Sequence, residues 1–446
     1  MTRIQPPTLP ARVQSCLDRL QDAGGRAWLV GGAVRDHLQG HAPRDYDIAT
    51  DLAPDAVEAA LGAGDPRAKR LGVVTISSPD GEVTVATLRA EVAYSDRRRP
   101  DAVKFVEDLG VDARRRDFTA NALYLVPATG ELVDPCGGLA DLEAGLLRCV
   151  GEAAYRLRED PLRLLRMVRF AASANLEIEA ATAAAATAAA GEVSTLSSER
   201  VFRELSDMFT GRGRGRALRL LVETGLASAL LPEVAAMDGV AQPPEYHPEG
   251  DVLTHVALVL DHCPPGRLAL SWSAVLHDVG KPPTYREAED RIRFDGHDVL
   301  SAEMADAILR RLCAPKALRE QVVDICRQHI RFAALPQMRP ARAERWMRTP
   351  GFREHLEFHR ADCMGSHQQL EIYEHALARF EQLSPKCAPV IFGRDVLGLG
   401  VPSGPEVGSL LREVQRVMDE RDAAPTRAEA LVLLRDAVSR RRQGGG

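Results

Sequence analysis

The chain has 446 residues, of which 45% are hydrophobic and 27% charged, with a formal net charge of −6 at pH 7. This length suits roughly two to four domains with apolar cores, and the negative charge argues against a protein that is basic over its whole surface. No apolar run could span a bilayer and residues 1–7 lack the core of a signal peptide, so we expect a cytoplasmic protein with no membrane partner.

The first part of the chain alternates strand-like and helical segments, and the rest has helical periodicity from about Gly138 onward. Residues 70–78 and 82–89 are predicted to form a hairpin. The other predicted strands are 27–31, 45–50 and 123–126, and the predicted helices of this part are 11–22, 33–39 and 54–62. We predict a multidomain α+β protein: a small mixed-sheet head (1–140) followed by an all-α neck (141–240), a second helical domain (241–380) and a helical tail (381–446).

Two boundaries in the helical part are marked by composition. The proline-rich stretch 241–250 is expected to be a linker, and a last segment begins near Pro389. The basic, glycine-tipped end, Arg440–Gly446, is expected to be disordered. Nearly all basic residues are arginines, which a GC-rich genome would explain, although the run Arg212, Arg214, Arg216 and Arg219 could contact phosphates.

The most informative stretch of the head is an apolar strand that ends in Gly31-Gly32 and is followed by a short helix. Paired glycines let backbone N–H groups approach a phosphate at a helix N-terminus. Asp45 and Asp47 then lie two residues apart on a strand, so both carboxylates leave the same face. Such a pair suits magnesium bound to a nucleoside triphosphate; an ordinary turn with two solvated aspartates is the alternative.

Further along, Arg116 and Asp117 precede a predicted helix, which Asp117 would cap at its N-terminus. An arginine there can bind phosphate and an aspartate can bind a ribose hydroxyl, while capping alone is the alternative. The polar segment 94–101 is predicted to be a loop that could order over a substrate or could be only a solvated connection.

A third motif begins at Glu159-Asp160-Pro161 and continues as a helix in which Arg163, Arg166 and Arg169 recur at every third position. A solvated charged face is the common meaning of such a stripe. Here Asp160 and Arg163 would share one face, where they offer hydrogen-bond acceptors and donors able to read the edge of a nucleobase. The further arginines could hold phosphates.

The second helical domain carries ionisable residues inside apolar helical segments, where each needs a partner. They are His255, the pair His277-Asp278 and Asp362. Two histidines and two aspartates suit one or two divalent metals that activate water for phosphoester hydrolysis, and His297 and His329 could complete a second metal site. Each histidine alone would more often be an ordinary helical residue.

Together these motifs resemble the bacterial class II tRNA nucleotidyltransferase and poly(A) polymerase family over nearly the whole chain. The resemblance is carried by Gly31–Asp36 with Asp45–Asp47, by Arg115–Asn121, by Glu159–Arg163 and by Ser197–Glu204. The region after residue 241 resembles the HD phosphohydrolase domain attached to many members of that family.

The resemblance implies a polymerase β-like head in which Asp45 and Asp47 are catalytic and hold Mg²⁺. It implies that Asp160 and Arg163 select C and A, and that CTP, ATP and the 3′ end and acceptor arm of tRNA are the partners. The other residues implied to bind the nucleotide are Gly31, Gly32, Arg35, Arg116, Asp117, Arg166 and Arg169. In the HD domain, His255, His277, Asp278 and Asp362, with His297 and His329, would hold a transition metal such as Ni, Mn, Co or Fe.

The function expected from this resemblance is addition of CCA to the tRNA 3′ end, with possible phosphatase or 2′,3′-cyclic phosphodiesterase activity in the HD domain. An enzyme that adds only CC and a poly(A) polymerase share the same motifs and stay open as alternatives. Two further alternatives are an HD phosphohydrolase with a degenerate regulatory head and a non-enzymatic RNA-binding protein.

Overall fold

The computed structural model describes residues 2–43, 45–62, 71–78, 81–92, 102–289, 291–383, 390–419 and 426–443. The chain divides into two compact units: one is formed by residues 1–337 with 350–373, and the other by residues 338–349 with 374–446. Within the described ranges, no helix is long and apolar enough to cross a membrane. The predicted loop 94–101 lies wholly in the gap between residues 92 and 102, outside the described residues.

The head is built on a seven-stranded mixed sheet with the strand order β1-β9-β8-β2-β3-β5-β4. Only β3 and β5 pair in parallel, and β4 pairs antiparallel with β5, which confirms the predicted hairpin. The sheet strands are β1 Thr2–Arg3, β2 Ala27–Val30, β3 Tyr46–Thr50, β4 Val73–Ser78, β5 Gly81–Thr87, β8 Tyr124–Val126 and β9 Glu131–Val133, and a separate ribbon pairs β6 Arg89–Val92 with β7 Ala102–Phe105. The head helices are α1 Ala11–Asp22, α2 Gly32–Leu38, α3 Pro54–Leu61 and α4 Leu109–Arg114, followed by the 3-10 turn Thr119–Asn121.

The two faces of this sheet have separate cores, and the difference places the carboxylates. Ile48 faces a core with side chains of α1, α2 and α3, whereas Ala49 lies in a core with Trp28, Val30 and Tyr124 on the opposite face. Side chains alternate along a strand, so Asp47 projects on the same face as Ala49, away from these helices.

The neck is helical, as predicted, with one short parallel pair of strands, β10 Leu146–Leu147 and β11 Glu177–Ile178. Its core is continuous with that of the following HD region in one cluster that runs from Phe118 to Ala361. The neck helices are α5 Gly138–Glu143, α6 Ala153–Glu159, α7 Leu162–Ser173, α8 Ala180–Ala189, α9 Ser198–Thr210, α10 Arg214–Glu223, α11 Leu226–Leu230 and α12 Pro232–Ala235, with a 3-10 segment at Ala190–Thr195.

The HD region follows the irregular stretch 241–250 and packs its helices around four histidines. Its helices are α13 Val252–His262, α14 Leu268–Leu276, α15 Lys281–Thr284, α16 His297–Arg311, α17 Lys316–Gln328 and α19 Phe352–Met364, with a 3-10 segment at His329–Gln337 and a ribbon of β12 Arg286–Glu287 with β13 Ile292–Arg293. The buried Trp272 lies between Phe202 and Phe209 of the neck, so an aromatic cluster joins the two regions.

The second unit is helical and has its own small core, in which Val396, Leu410, Val414 and Leu434 are buried. Its helices are α18 Pro340–Met347, most of α20 Glu371–Glu381, α21 Gly393–Leu397, α22 Pro405–Asp419 and α23 Arg427–Gln443.

The expectation of a disordered basic end is wrong for residues 440–443, which form the last turn of α23. Arg440 and Arg441 both pair with Glu413 on α22, with N–O distances of 3.2 Å, and these contacts hold the helix end in place.

One glycine of the neck is required by both conformation and space, and its substitution gives a first prediction. Gly213 has φ +65°, and a Cβ there would lie 2.3 Å from the carbonyl oxygen of Ala172. We expect Gly213→Ala to lower the free energy of unfolding by about 1–3 kcal/mol, as measured by urea unfolding. Gly191→Ala is the matched control, because a Cβ at Gly191 meets nothing within 4 Å; equal stability of the two variants would contradict the prediction.

Candidate active sites

The glycine turn of the head lies next to Asp47. Gly31 adopts φ +72°, and a Cβ on it would lie 3.5 Å from Asp47 Oδ2. Asp45 precedes β3 by one residue, and both aspartates are exposed while Tyr46 between them is buried, as expected for two side chains on one face. Gly32, the first residue of α2, completes the turn. The structure therefore brings two carboxylates and a glycine turn together.

The surroundings of Asp47 favour a cation. Desolvation by the surrounding protein raises the pKa of this carboxyl, while the charges of Arg116 and Arg166 lower it and that of Asp45 raises it. The carboxylates of Asp45 and Asp47 are exposed on one face, and desolvation makes the ionised form of Asp47 less favourable unless a cation is near. Together they form a donor set that fits a divalent metal ion.

Arg35 is buried and paired within the protein. Its Nη1 donates to Asn121 Oδ1 at 2.9 Å and its Nη2 to Asp36 Oδ1 at 2.8 Å, while the guanidinium lies over the ring of Phe170 at 5.0 Å. These contacts tie α2 to the 3-10 turn and to the neck helix α7. The Arg35 side chain therefore supports the helix that follows the glycine turn from within the protein and does not lie on an open surface.

Arg116 is held by residues that sequence reasoning missed. Its Nη2 lies 3.1 Å from Asp112 Oδ2, and its Nε donates to the hydroxyl oxygen of Tyr124 at 3.1 Å. The Tyr124 hydroxyl in turn donates to Asp112 Oδ2 at 2.6 Å, and Asp112 also pairs with Arg115. Asp112 is 1% exposed, so one buried carboxylate fixes the orientation of Arg116.

Asp117 does not cap a helix as predicted, because the chain after it forms only the three-residue turn Thr119–Asn121. Its Oδ1 accepts from the backbone N–H of Phe118 at 2.8 Å and from Asn121 Nδ2 at 3.2 Å. Its Oδ2 lies 2.6 Å from Arg166 Nη2, so the carboxylate joins the head to α7.

At the start of α7, the two residues expected to read the base are each paired. Asp160 accepts from Arg200 Nη2 at 3.2 Å and from the backbone N–H of Leu162 at 3.1 Å. Arg163 is 7% exposed, and its Nη1 donates to Glu159 Oε2 at 2.5 Å. Asp160 lies before α7 and not within it, so Asp160 and Arg163 do not share one face of a helix as predicted. Each side chain is held by a different neighbour.

Arg169 completes the stripe and pairs with α9. Its Nε donates to Glu204 Oε1 at 2.5 Å, and its guanidinium lies 4.5 Å from the ring centroid of Phe170. Arg200 and Glu204 both lie in the segment Ser197–Glu204. The sequence of that segment indicated its family resemblance but not that these two side chains pair with Asp160 and Arg169.

Two arginines of the run near residue 212 donate to backbone oxygens of neighbouring segments. Arg214 is buried and donates to the carbonyl oxygens of Asp261 and Cys263, and Arg216 donates to the carbonyl oxygens of Ala171 and Leu176. The expectation that this run contacts phosphate is therefore not supported for these two residues, because Arg214 is buried and both terminal nitrogens of Arg216 donate to the protein.

The HD region brings the predicted histidines and aspartates together. His255 Nε2 lies 3.1 Å from Asp362 Oδ1 and 3.3 Å from His277 Nε2, and His277 Nε2 lies 3.2 Å from Asp278 Oδ2. All but Asp362 are 1% exposed. Separations of about 3.3–3.5 Å are those of ligands around one tetrahedral ion at the usual bond lengths.

A second group shares Asp278. Its Oδ1 lies 3.5 Å from His297 Nε2 and 3.7 Å from His329 Nε2, and the two imidazole nitrogens are 3.3 Å apart. Burial lowers the pKa of His329 to about 3, so its imidazole is neutral at pH 7. Among the described residues, Asp278 Oδ1 is buried and accepts no hydrogen bond, which leaves it available as a metal ligand.

The orientation of three of these imidazoles is set by the backbone. The Nδ1 atoms of His277, His297 and His329 lie 2.7–2.9 Å from the carbonyl oxygen three residues earlier in each case. A proton on Nδ1 leaves the Nε2 lone pair pointing at the cluster. Imidazole and carboxylate donors arranged in this way fit a divalent metal, and both groups line a cavity of about 390 Å³.

Two further residues at this site were not anticipated. Glu249 Oε1 lies 2.8 Å from His255 Nδ1 and 2.9 Å from His247 Nδ1. These contacts lower the pKa of Glu249 to about 2, although burial acts in the opposite direction. Both residues lie in the stretch 241–250, where the proline-rich composition indicated only a linker. Lys281 Nζ, three residues after the predicted Asp278, lies 2.7 Å from Asp278 Oδ2.

The ion pair of Asp117 gives a prediction for pH. Burial raises the pKa of Asp117, but the opposing effects of Arg166 and Asn121 are larger, so the pKa falls to about 2. An unfolded aspartate has a pKa of about 3.9. The ionised carboxylate thus stabilises the fold above pH 4, and this stabilisation is lost as the pH falls from about 4 to 2. We expect Asp117→Asn to cost about 2 kcal/mol at pH 7, with a smaller difference from the unmutated protein at pH 3.

Urea unfolding followed by circular dichroism at several pH values measures this difference. Asp22→Asn, at an exposed position at the end of α1, is the control and should change little at any pH. A cost of Asp117→Asn that stays constant between pH 7 and pH 3 would contradict the assignment.

Three segments of the chain match known protein families. Residues 27–148 match the poly A polymerase head domain, residues 175–237 match the probable RNA and SrmB-binding site of polymerase A, and residues 252–350 match the HD domain. These three segments follow the order head, neck and HD region.

Relatives align over most of the chain. A multifunctional CCA protein of Xanthomonas campestris is 34% identical over 343 residues, covering 74% of this chain and 81% of the relative, and one of Nitrosospira multiformis is 32% identical over 71% of this chain and 76% of the relative. The crystal structure of the Bacillus stearothermophilus CCA-adding enzyme in complex with CTP superposes with a TM-score of 0.69 at 24% identity, covering 98% of this chain and 100% of that one, so the fold is shared. The protein therefore belongs to the family of multifunctional CCA proteins and CCA-adding enzymes.

Proposed function

We propose that the protein is a tRNA nucleotidyltransferase that adds C and A residues from CTP and ATP to the tRNA 3′ end, without a nucleic-acid template. Membership of the family supports this activity. The observation that carries the proposal is the position of Asp47 beside the glycine turn, where a Cβ on Gly31 would lie 3.5 Å from Asp47 Oδ2, with the charges of Arg116 and Arg166 acting on the same carboxyl. We place the reaction in the cytoplasm.

In this proposal Asp45 and Asp47 are the catalytic residues. They would hold Mg²⁺, which would align the triphosphate and favour attack of the RNA 3′-hydroxyl on the α-phosphorus. A new bond forms from the 3′-oxygen to the α-phosphorus, the bond from that phosphorus to the bridging oxygen of the β-phosphate breaks, and pyrophosphate leaves.

The other head residues would bind the triphosphate and the sugar. Backbone N–H groups at Gly31 and Gly32 would approach phosphate oxygens, and Arg116, already oriented by Asp112, would neutralise their charge. Arg166 and Arg169, on α7, would also neutralise the charge of the phosphates. Arg35 and Asp117 would act mainly by holding the turn and Arg166 in place, because their contacts lie within the protein.

Asp160 and Arg163 would select C and A through the hydrogen-bonding edge of each base. The contacts of Asp160 with Arg200 and of Arg163 with Glu159 support this proposal, because paired side chains present their remaining donors and acceptors in fixed directions. The protein would then specify the product that a template specifies in other polymerases.

The test is an incorporation assay with Mg²⁺, tRNA lacking its 3′-terminal nucleotides, and labelled CTP and ATP supplied singly and together. CCA addition predicts products that stop after three nucleotides when both are present, whereas CC-only addition or a poly(A) ladder would establish the alternatives. Asp45→Ala and Asp47→Ala should each reduce incorporation by about 10³-fold or more, and Asp22→Ala should not. Unchanged incorporation in both site variants would refute the transferase and favour a phosphohydrolase with a degenerate head.

We propose in addition that the HD region hydrolyses phosphomonoesters or 2′,3′-cyclic phosphodiesters with a transition metal such as Ni, Mn, Co or Fe. The observation that favours this activity is the buried Asp278 carboxylate, which lies between two groups of imidazole nitrogens. A metal held there by His255, His277, Asp278 and Asp362 would activate water, and His297 and His329 would hold a second ion.

This second activity is tested by metal content and hydrolysis together. We expect His277→Ala and Asp278→Ala to lose bound Mn²⁺ and hydrolysis of 2′,3′-cyclic AMP while CTP incorporation is retained. His329→Ala should lose only part of the bound metal. The control is His262→Ala, at the end of α13, which should behave as the unmutated protein. Full metal binding by both the His277 and the Asp278 variants would rule out this ligand set.

A further inference from the structure

Glu249 connects two imidazoles at the edge of the HD cavity. Its Oε1 lies 2.8 Å from Nδ1 of His255 and 2.9 Å from Nδ1 of His247, and its side chain is 7% exposed. The two imidazole rings meet edge to face, with centroids 4.8 Å apart. One carboxylate oxygen therefore contacts both rings.

The contact is needed because His255 differs from the other histidines of the cluster. His277, His297 and His329 stand at helix ends, where a carbonyl oxygen three residues earlier is available to Nδ1. His255 lies in the first half of the eleven-residue helix α13, whose backbone groups bond within the helix. Among the described residues Nδ1 of His255 makes no hydrogen bond, and its close contact is the ion-pair contact with Glu249 Oε1 at 2.8 Å, from another segment.

The distances also distinguish this group from a metal site. The Nε2 and carboxylate atoms of the proposed ligands are 3.1–3.8 Å apart, close to the spacing of ligands around one ion. The two distances to Glu249 Oε1 are shorter: 2.8 Å from His255 Nδ1, an ion-pair contact, and 2.9 Å from His247 Nδ1, a hydrogen bond. Although His247, Glu249 and His255 could geometrically hold a third ion, this shorter spacing fits direct contacts between the side chains.

His247 faces the same cavity as the proposed metal ligands. It lines that cavity together with Lys281, Arg291 and Arg293, whose positive charge suits a phosphate group. The side chain of His247 is 19% exposed, and its Nδ1 is in contact with Glu249. The rest of the imidazole ring is therefore the part that lines the cavity.

We propose that Glu249 is a positioning residue of the HD site that acts on both of its components. Through His255 it orients a metal ligand, and through His247 it orients a cavity side chain that contacts the ribose phosphoester substrate. The inference rests on the proposed phosphoester hydrolysis and adds to it the residue that couples metal binding to substrate binding. A carboxylate behind a metal-binding imidazole fixes the ring and increases its basicity.

The test uses the full-length protein and Mn²⁺ alone as the first probe. We expect Glu249→Ala to weaken Mn²⁺ affinity, measured by isothermal titration calorimetry, by about 10- to 100-fold. Glu249→Gln should lose less, because its amide oxygen can still accept a hydrogen bond but carries no charge. Glu245→Ala, four residues away at an exposed position, is the matched control. CTP incorporation by each variant reports that the chain is folded.

The second arm separates His247 from the metal. At saturating Mn²⁺, His247→Ala should raise KM for 2′,3′-cyclic AMP by about tenfold, with a smaller effect on kcat and unchanged Mn²⁺ affinity. A His247→Ala variant that loses metal affinity as severely as Glu249→Ala would overturn its assignment to the substrate. Unchanged Mn²⁺ affinity in Glu249→Ala would overturn the positioning role while metal binding by the unmutated protein still supports the HD activity. Absence of Mn²⁺ binding in the unmutated protein would overturn both.

Discussion

The pairing of the α7 arginines with carboxylates from other elements is the constraint on which the arrangement of the head and the neck depends. Arg166 pairs with Asp117 of the head and Arg169 with Glu204 of α9, while Arg163 pairs with Glu159 just before the helix. Three partly buried guanidinium groups on one helix could not coexist without these partners, because unpaired buried charges are costly.

An aromatic ring adds to this arrangement. Phe170 lies beneath the guanidinium groups of Arg35, Arg166 and Arg169, at 4.5–5.0 Å from its centroid, and it packs edge to face on Phe118. Cations over an aromatic face are attracted to it without losing the donors at their edges. The ring thus gathers positive charge from the head and from the neck around one point, close to where the proposal places a triphosphate.

Much of the fold and part of each site could be predicted from the sequence because the signals are local. The glycine turn, the aspartates two residues apart and the helical periodicity each depend on neighbours in the chain. The ion-pair partners of the site residues could not be predicted, because they are distant in the sequence. Arg166 pairs with Asp117, 49 residues away, and Asp160 pairs with Arg200, 40 residues away. Glu249 was missed for a different reason: the prolines around it predicted a linker, and nothing in that composition indicated that the stretch contributes a side chain that contacts a buried histidine.

The run of arginines and glycines at the start of α10 places a geometric constraint on Arg216. Arg216 uses both terminal nitrogens, for the carbonyl oxygens of Ala171 and Leu176 and for the side chains of Asn175 and Glu177. Lysine would keep the charge but has one nitrogen on a flexible stem, and it could not reach these separate acceptors at once. At this position arginine therefore meets a geometric requirement, because its planar, forked group joins α10 to the end of α7 and to the residues that follow it.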